Sequence, residues 1–252
     1  AIAALGGHAS WCGRLGDDPS GQTVKAMLER LGVDLSGATI ARGAQTAVAG
    51  IHMDPTGERM LAVFPGAGLP EDAPIPQHLV DRADAVLGDP RWADGSARLF
   101  GAAASRGIPR VFDADTAPLD ILRRLVPLAD HVVFSERGLR DFTGIGDAQE
   151  ALRHVASQVE ATLGVTLGER GSLWWLDGTP HPLPAPVVDA VDTTGCGDVF
   201  HGGYALALAE GADVLEAARF ATAAAALKAA NGEGWDGMPK RAAVDTLVAR
   251  GW

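Results

Sequence analysis

The run Asp192-Thr193-Thr194-Gly195-Cys196-Gly197-Asp198, continued by Val199-Phe200-His201-Gly202-Gly203, brings together the residue types for chemistry on an anion. It reads as a strand end, a glycine turn and a helix start. The first amides of a helix have no intrahelical acceptor, and the macrodipole favours negative charge beside them. Gly195 and Gly197 would allow positive φ and close approach of a ligand to the backbone. A carboxylate at such a turn repels phosphate, so Asp198 makes chemical sense as a base beside a developing negative charge. Amides for phosphoryl oxygens and a carboxylate for a hydroxyl proton are the parts that phosphoryl transfer to an alcohol requires. The same short string also serves as ordinary helix capping, with Asp in the first turn.

The elements around this run should position it. Apolar spacing predicts a helix over 21–31 and a hairpin of Thr46 to Asp54 with Arg59 to Phe64 around Pro55-Thr56-Gly57-Glu58. After Pro76, strands near 85–87, 110–112, 131–134 and 162–167 alternate with helices near 96–105, 119–128 and 148–159. Ser172 to Leu176 reads as a return strand, the proline-rich 179–186 as a loop crossing to a strand before the motif, and three helices close the chain. Ala1 to Gly7 reads as the end of a helix stopped by glycine. Such alternation predicts an α/β fold, a mostly parallel sheet covered by helices, with ligands at the carboxyl ends of the strands. One domain over 1–252 is expected, with a first strand and part of the substrate site expected upstream of Ala1.

Composition narrows the function. The 252 residues carry a net charge of −11 and are 47% hydrophobic, enough for one large core and unsuited to nucleic acid or an anionic membrane surface. Two cysteines, Cys12 and Cys196, form no disulfide framework, and a cytoplasmic setting is expected. No apolar run is long enough to span a bilayer. A Walker A string is absent, and only Lys25, Lys228 and Lys240 occur as lysines. Neither Gly-x-Ser-x-Gly nor a metal-ligand histidine spacing is present. His201, one turn beyond Asp198, is expected to pack or hydrogen-bond within its helix, and Trp174-Trp175 should place one ring inward.

In order along the chain, Gly16-Asp17-Asp18-Pro19-Ser20-Gly21, Thr166-Leu167-Gly168-Glu169-Arg170-Gly171 and Asp192 to Phe200 resemble motifs of the ribokinase/PfkB carbohydrate kinases. The resemblance implies a ribokinase-like three-layer α/β/α sandwich with a small β lid, in which the hairpin of 46–64 would be half of the lid and paired lids would make a homodimer. It implies ATP and Mg²⁺, with Asp198 as base and the amides of Gly195, Cys196 and Gly197 as anion hole. Thr166, Gly168 and Gly171 would border the nucleotide and Trp235 would flank the adenine. Asp192 and Thr194 fall where some members bind a monovalent cation such as K⁺. The family's Asn-x-x-Glu aligns with Ser135-Glu136-Arg137-Gly138, leaving Glu136 as the neighbouring carboxylate for Mg²⁺.

Asp89 to Gly95, Asp113 to Thr116 and Phe134 to Leu139 resemble the bacterial sulfofructose kinase branch most. That likeness implies transfer to the 1-hydroxyl of an anionic ketose such as 6-deoxy-6-sulfofructose. Arg91, Asp113 and Asp115 become sugar-side candidates, Arg91 because guanidinium pairs bidentately with sulfonate or phosphate. Val63 stands where that branch is expected to carry Asn. A nucleoside kinase of the same fold, and a non-catalytic sugar- or nucleotide-binding relative, are the alternatives.

Overall fold

The computed structural model describes residues 1–53 and 59–252; Pro55-Thr56-Gly57-Glu58, the expected hairpin turn, lies outside the described residues. The chain divides into two compact units, one of His8–Leu79 and the other of Ala1–Gly7 with Val80–Trp252.

The larger unit is built on a six-stranded sheet. Its strands are β5 (Val86–Gly88), β6 (Arg110–Ala114), β7 (His131–Ser135), β8 (Thr162–Thr166), β9 (Ser172–Leu176) and β10 (Thr179–Leu183), in the order β10-β9-β8-β7-β6-β5. β5 to β8 are parallel, and β9 and β10 return antiparallel. Buried on both faces, the parallel strands read as short apolar runs. Alternate residues then separate two packing layers. Val111, Val133 and Trp174 join the core formed with α7 (Cys196–Ala209) and α8 (Val214–Asn231). Phe112 and Phe134 point the other way, onto Phe100 of α3 (Ala93–Ala104) and Phe142 of α5 (Glu136–Thr143). On that second side α4 (Leu119–Leu125) and α6 (Ala148–Ala156) complete the layer, and α9 (Arg241–Arg250) packs on α8. The expected mostly parallel sheet with helices on both faces is therefore what forms.

Three local expectations change. Thr179–Leu183 is an edge strand, because prolines at 180 and 182 remove donors only from alternate positions of a strand whose outer side needs none. No strand precedes the motif: the N–H groups of Val191 and Asp192 both donate to the carbonyl oxygen of Ala229, at 2.8 and 3.2 Å, so a loop leads in. Ala1 to Gly7 is a single turn, closed by Leu5 N–H to Ala1 O and ended at Gly6 with φ +89°. Trp174 is buried and Trp175 partly open, as strand alternation requires.

The smaller unit holds two two-stranded sheets. β1 (Gly13–Gly16) pairs in parallel with β2 (Ala38–Ala41), and β3 (Val48–Met53) pairs with β4 (Arg59–Phe64) as the expected hairpin. Its α1 (Pro19–Arg30) is capped by Asp18, whose Oδ1 accepts from Gly21 N at 2.9 Å and from Thr46 Oγ1 at 2.6 Å. Gly21 is required there, since a Cβ would stand 2.2 Å from the Gly16 carbonyl oxygen. Those bonds hold Asp18 below the ordinary carboxylate range, and a short α2 (Gln77–Asp81) leads into the larger unit.

Candidate active site

The site assembles at the carboxyl ends of β5 to β8 and the first turn of α7, all within the larger unit. Gly195 caps α7 at φ +76°, a left-handed conformation that glycine adopts without strain. Gly197 is already helical, so the expectation of positive φ there does not hold. What a side chain at 197 would meet is open space, with no atom within 4 Å. The N–H of Cys196 donates to Thr193 O at 3.2 Å, closing the turn, and no side chain caps the helix. The Cys196 amide is thus engaged within the turn, and Gly197 and Asp198 follow it in the uncapped first turn of α7.

The Asp198 side chain reaches solvent on one side. Elsewhere protein surrounds it, and burial pushes its carboxyl above the ordinary range; His201 opposes the rise, while Asp89 and Asp115 add to it. Three of the sequence candidates thus fall in one electrostatic neighbourhood. Asp113, in β6, is raised to about 6, chiefly by burial, against the opposing pull of His201 and with Asp198, Asp89 and Asp115 adding repulsion. Its Oδ2 lies 3.3 Å from His201 Nδ1, and its Oδ1 is buried without a hydrogen-bond partner. A buried carboxylate oxygen with no donor is where a ligand hydroxyl would bind.

Arg91 and Asp115 face each other at 3.4 Å, and Arg91 Nη1 lies 3.4 Å from Thr116 O. Both side chains are largely exposed, at 67% and 45%, so the guanidinium is only loosely held. Asp89 was not singled out from sequence as a site residue. It caps the turn Pro90–Trp92 through Arg91 N at 2.6 Å, and a capping Asp before Pro at a strand end was the available signal.

One strand over, Ser135 Oγ accepts from Gly138 N at 2.9 Å and caps α5. A Cβ on Gly138 would sit 2.6 Å from Ala114 O, so a side chain there would force that backbone to move. Glu136 pairs with Arg170 at 2.5 Å, joining the end of β7 to the turn after β8. In that turn Gly168 has φ +61°, and a Cβ on Gly171 would strike Leu183 O at 2.1 Å. Thr166 closes β8, with Oγ1 3.4 Å from Phe134 O. Trp235 stands 38% exposed in the turn after α8. Asp192 Oδ1 accepts from Thr194 N at 2.8 Å. Among the described residues, no group of three or more His, Cys, Asp or Glu is arranged to hold a metal ion. A Mg²⁺ carried on nucleotide phosphates would take most of its ligands from them, and Glu136, the carboxylate at the end of β7, would have to give up Arg170 to join it.

A mostly parallel sheet with an uncapped glycine turn and a carboxylate at its strand ends is the arrangement expected of a phosphotransferase of the ribokinase-like class. The profile of the pfkB family carbohydrate kinases matches residues 1–241. A Klebsiella pneumoniae fructokinase is 32% identical over 82% of this chain and 73% of its own length. A Haemophilus influenzae ribokinase is 26% identical over 96% and 81%. Among solved structures, a presumed ribokinase of Agrobacterium tumefaciens superposes with a TM-score of 0.94 at 35% identity, covering 99% of this chain and 84% of that one. Arabidopsis thaliana ribokinase, solved with ribose and ATP, gives 0.86 at 26%, covering 98% and 83%. The chain belongs to the PfkB carbohydrate kinase family. It is an ATP-dependent sugar kinase, a phosphotransferase with an alcohol group as acceptor.

Proposed function

We propose that Asp198 takes the proton from a sugar hydroxyl as that oxygen attacks the γ-phosphorus of ATP, and that ADP leaves as the P–O bond to the β-phosphate breaks. The observation carrying this reading is the Asp198 carboxylate in an uncapped first turn whose residues Gly197 and Asp198 are exposed. Its raised proton affinity suits a base that must hold a proton through the transition state. Gly195 sets the turn, Cys196 locks it, and the amides meet the charge on the transferred phosphoryl group. Mg²⁺ supplies charge neutralisation on the nucleotide phosphates, with Glu136 as the carboxylate beside them. Thr166, Gly168 and Gly171 line the nucleotide side, and Trp235 offers a flat apolar surface to the adenine.

The acceptor is read as a ketose with an anionic tail, of which 6-deoxy-6-sulfofructose is the example, phosphorylated at its 1-hydroxyl. Two features support it. The orphan Oδ1 of Asp113 calls for a sugar hydroxyl, and the loosely paired Arg91 can exchange Asp115 for a sulfonate or phosphate. The relatives named above act on neutral fructose and ribose, so those sugars are the competing acceptors. The β3–β4 hairpin exposes Val48, Met60, Val63 and Phe64, an apolar surface that supports the expected homodimer through this hairpin. No described helix is long and apolar enough to cross a membrane, and a cytoplasmic site of action is part of the proposal.

ADP release measured over fructose, ribose, nucleosides and anionic ketoses tests the acceptor; turnover confined to neutral sugars rejects the anionic-tail reading. In the same assay Asp198→Asn should lower kcat by ~10²–10⁴ with ATP affinity nearly kept. An unchanged kcat removes Asp198 from the mechanism.

A further inference from the structure

The side chain of Lys228, in the last turn of α8, is 1% exposed, yet it carries an amine into the interior beside the active-site loop. Its Nζ donates to Gly232 O at 3.1 Å. Burying an ammonium is costly unless oxygen acceptors replace its water, and the carbonyl-rich end of a helix supplies them. Where those carbonyls lie matters more than the capping itself. Gly232 packs against the segment that carries Asp192: a Cβ on Gly232 would stand 3.0 Å from Val191 Cγ1 and 3.7 Å from Asp192 Cβ. One turn earlier, Ala229 O receives the N–H groups of both Val191 and Asp192. The α8 end and the loop leading to Gly195 are thus one hydrogen-bonded junction.

This is the junction where a monovalent cation is implied at Asp192 and Thr194, and three of its oxygens are already engaged. Ala229 O is engaged by two amides, Gly232 O by Lys228, and Asp192 Oδ1 by Thr194 N. A second cation here would also meet the positive charge of Lys228 at short range. We infer that the Lys228 ammonium takes the place of a monovalent cation in this chain. It holds the Gly232 carbonyl at the α8 end, and through the packing of Gly232 on Val191 and Asp192 it fixes the loop that presents the Gly195 turn. Lys228 is then a positioning residue for the phosphoryl cradle, and the enzyme carries its own cation. The inference rests on the sugar-kinase reading of the site.

Turnover and thermal unfolding, with ADP bound, are compared in potassium chloride and tetramethylammonium chloride at equal ionic strength of about 0.15 M. For the native chain the expected result is turnover equal within about two-fold in the two salts and the same Tm, since an ion that does not bind the folded state cannot stabilise it. Lys228→Ala should lose about ten-fold or more in kcat without potassium, with KM for ATP changing less. Potassium or ammonium should restore much of that loss and raise the variant's Tm, as binding at a vacated site would. A helix cap alone would not give an ion-dependent rescue. Potassium activation or stabilisation of the native chain overturns the inference, and so does a folded Lys228→Ala with native turnover. If Lys228→Ala does not fold, the two native-chain measurements decide. Absence of turnover with every sugar would count against the sugar-kinase reading, and the Tm comparison would still judge Lys228.

Discussion

His201 Nδ1 lies 2.8 Å from the carbonyl oxygen of Gly197 and 3.3 Å from Asp113 Oδ2, so one imidazole ties the α7 turn to β6. Nε2 lies 3.2 Å from Val133 O, and the His201 side chain is 4% exposed. α7 and β6 are held in register by this ring. The expectation that His201 hydrogen-bonds within its helix was sound as far as it went; the link to Asp113 is a tertiary contact.

Replacing His201 by Phe should therefore be costly. It leaves Asp113 buried without its opposite partner and strips a donor from Gly197 O. The expected loss is about 2–4 kcal/mol in denaturant unfolding, larger than packing alone would give. His201→Gln should recover part of it.

Asp113 makes stability depend on pH with a definite sign. Its carboxyl is raised to about 6 in the folded chain, above its unfolded value, so folding favours the protonated form. That contribution is complete below the unfolded pKa and is lost as pH rises through about 6. Asp113→Asn should flatten this part of the Tm profile, and relative to the native chain it should gain about 1–3 kcal/mol above neutral pH. A native profile with no fall between acid and neutral pH would contradict the assignment.

As the proposed base, Asp198 should set the acid limb of catalysis through its raised carboxyl. As its proton affinity lies above the ordinary range, kcat/KM should fall with decreasing pH earlier than for a free Asp. Removing nearby negative charge with Asp115→Asn should move that limb to lower pH. A shift the other way would show that Asp115 does not act on Asp198.

The two glycines of the turn should separate folding from function. Gly195→Ala must adopt φ +76° and is expected to cost roughly 1–2 kcal/mol. At Gly197 a methyl group meets no protein atom, so Gly197→Ala should melt close to the native chain. Its kcat should nevertheless fall by about 10²-fold, because the open space beside that amide is where phosphate must approach. Equal losses of stability in both variants would refute the distinction.

Restoring a carboxylate at position 138 should not improve the enzyme. The Cβ of Gly138→Glu would press on Ala114 O at 2.6 Å, against backbone adjoining Asp113 and Asp115. Lower Tm and lower turnover are expected together, the first by about 1–3 kcal/mol from overpacking.

The local code of this chain carried a good deal. Apolar runs broken by glycine announced the parallel strands, because strands buried on both faces need nothing polar. The Gly-Cys-Gly-Asp spacing alone put a carboxylate into a helix N-terminus, since that placement depends on neighbours three residues apart. Local signals were ambiguous at Thr179–Leu183, where prolines suggest a loop, and only the position at the sheet edge made a strand tolerable. They were also too short at β1 and β2, four residues each, whose pairing spans a helix. α5 escaped notice because its Ser135 cap and Gly138 contact depend on strand ends brought beside it.

What the sequence by itself determined is which residues are candidates for the chemistry: Asp198, the glycine turn and the acidic strand ends. Folding decided how each of them behaves. Cys196 spends its amide on Thr193, Asp113 takes up a proton more readily because it is buried, against the pull of His201, and Lys228 turns inward to the Gly232 carbonyl. Those outcomes depend on solvent exclusion and on partners distant in the chain, which no reading of neighbouring residues contains.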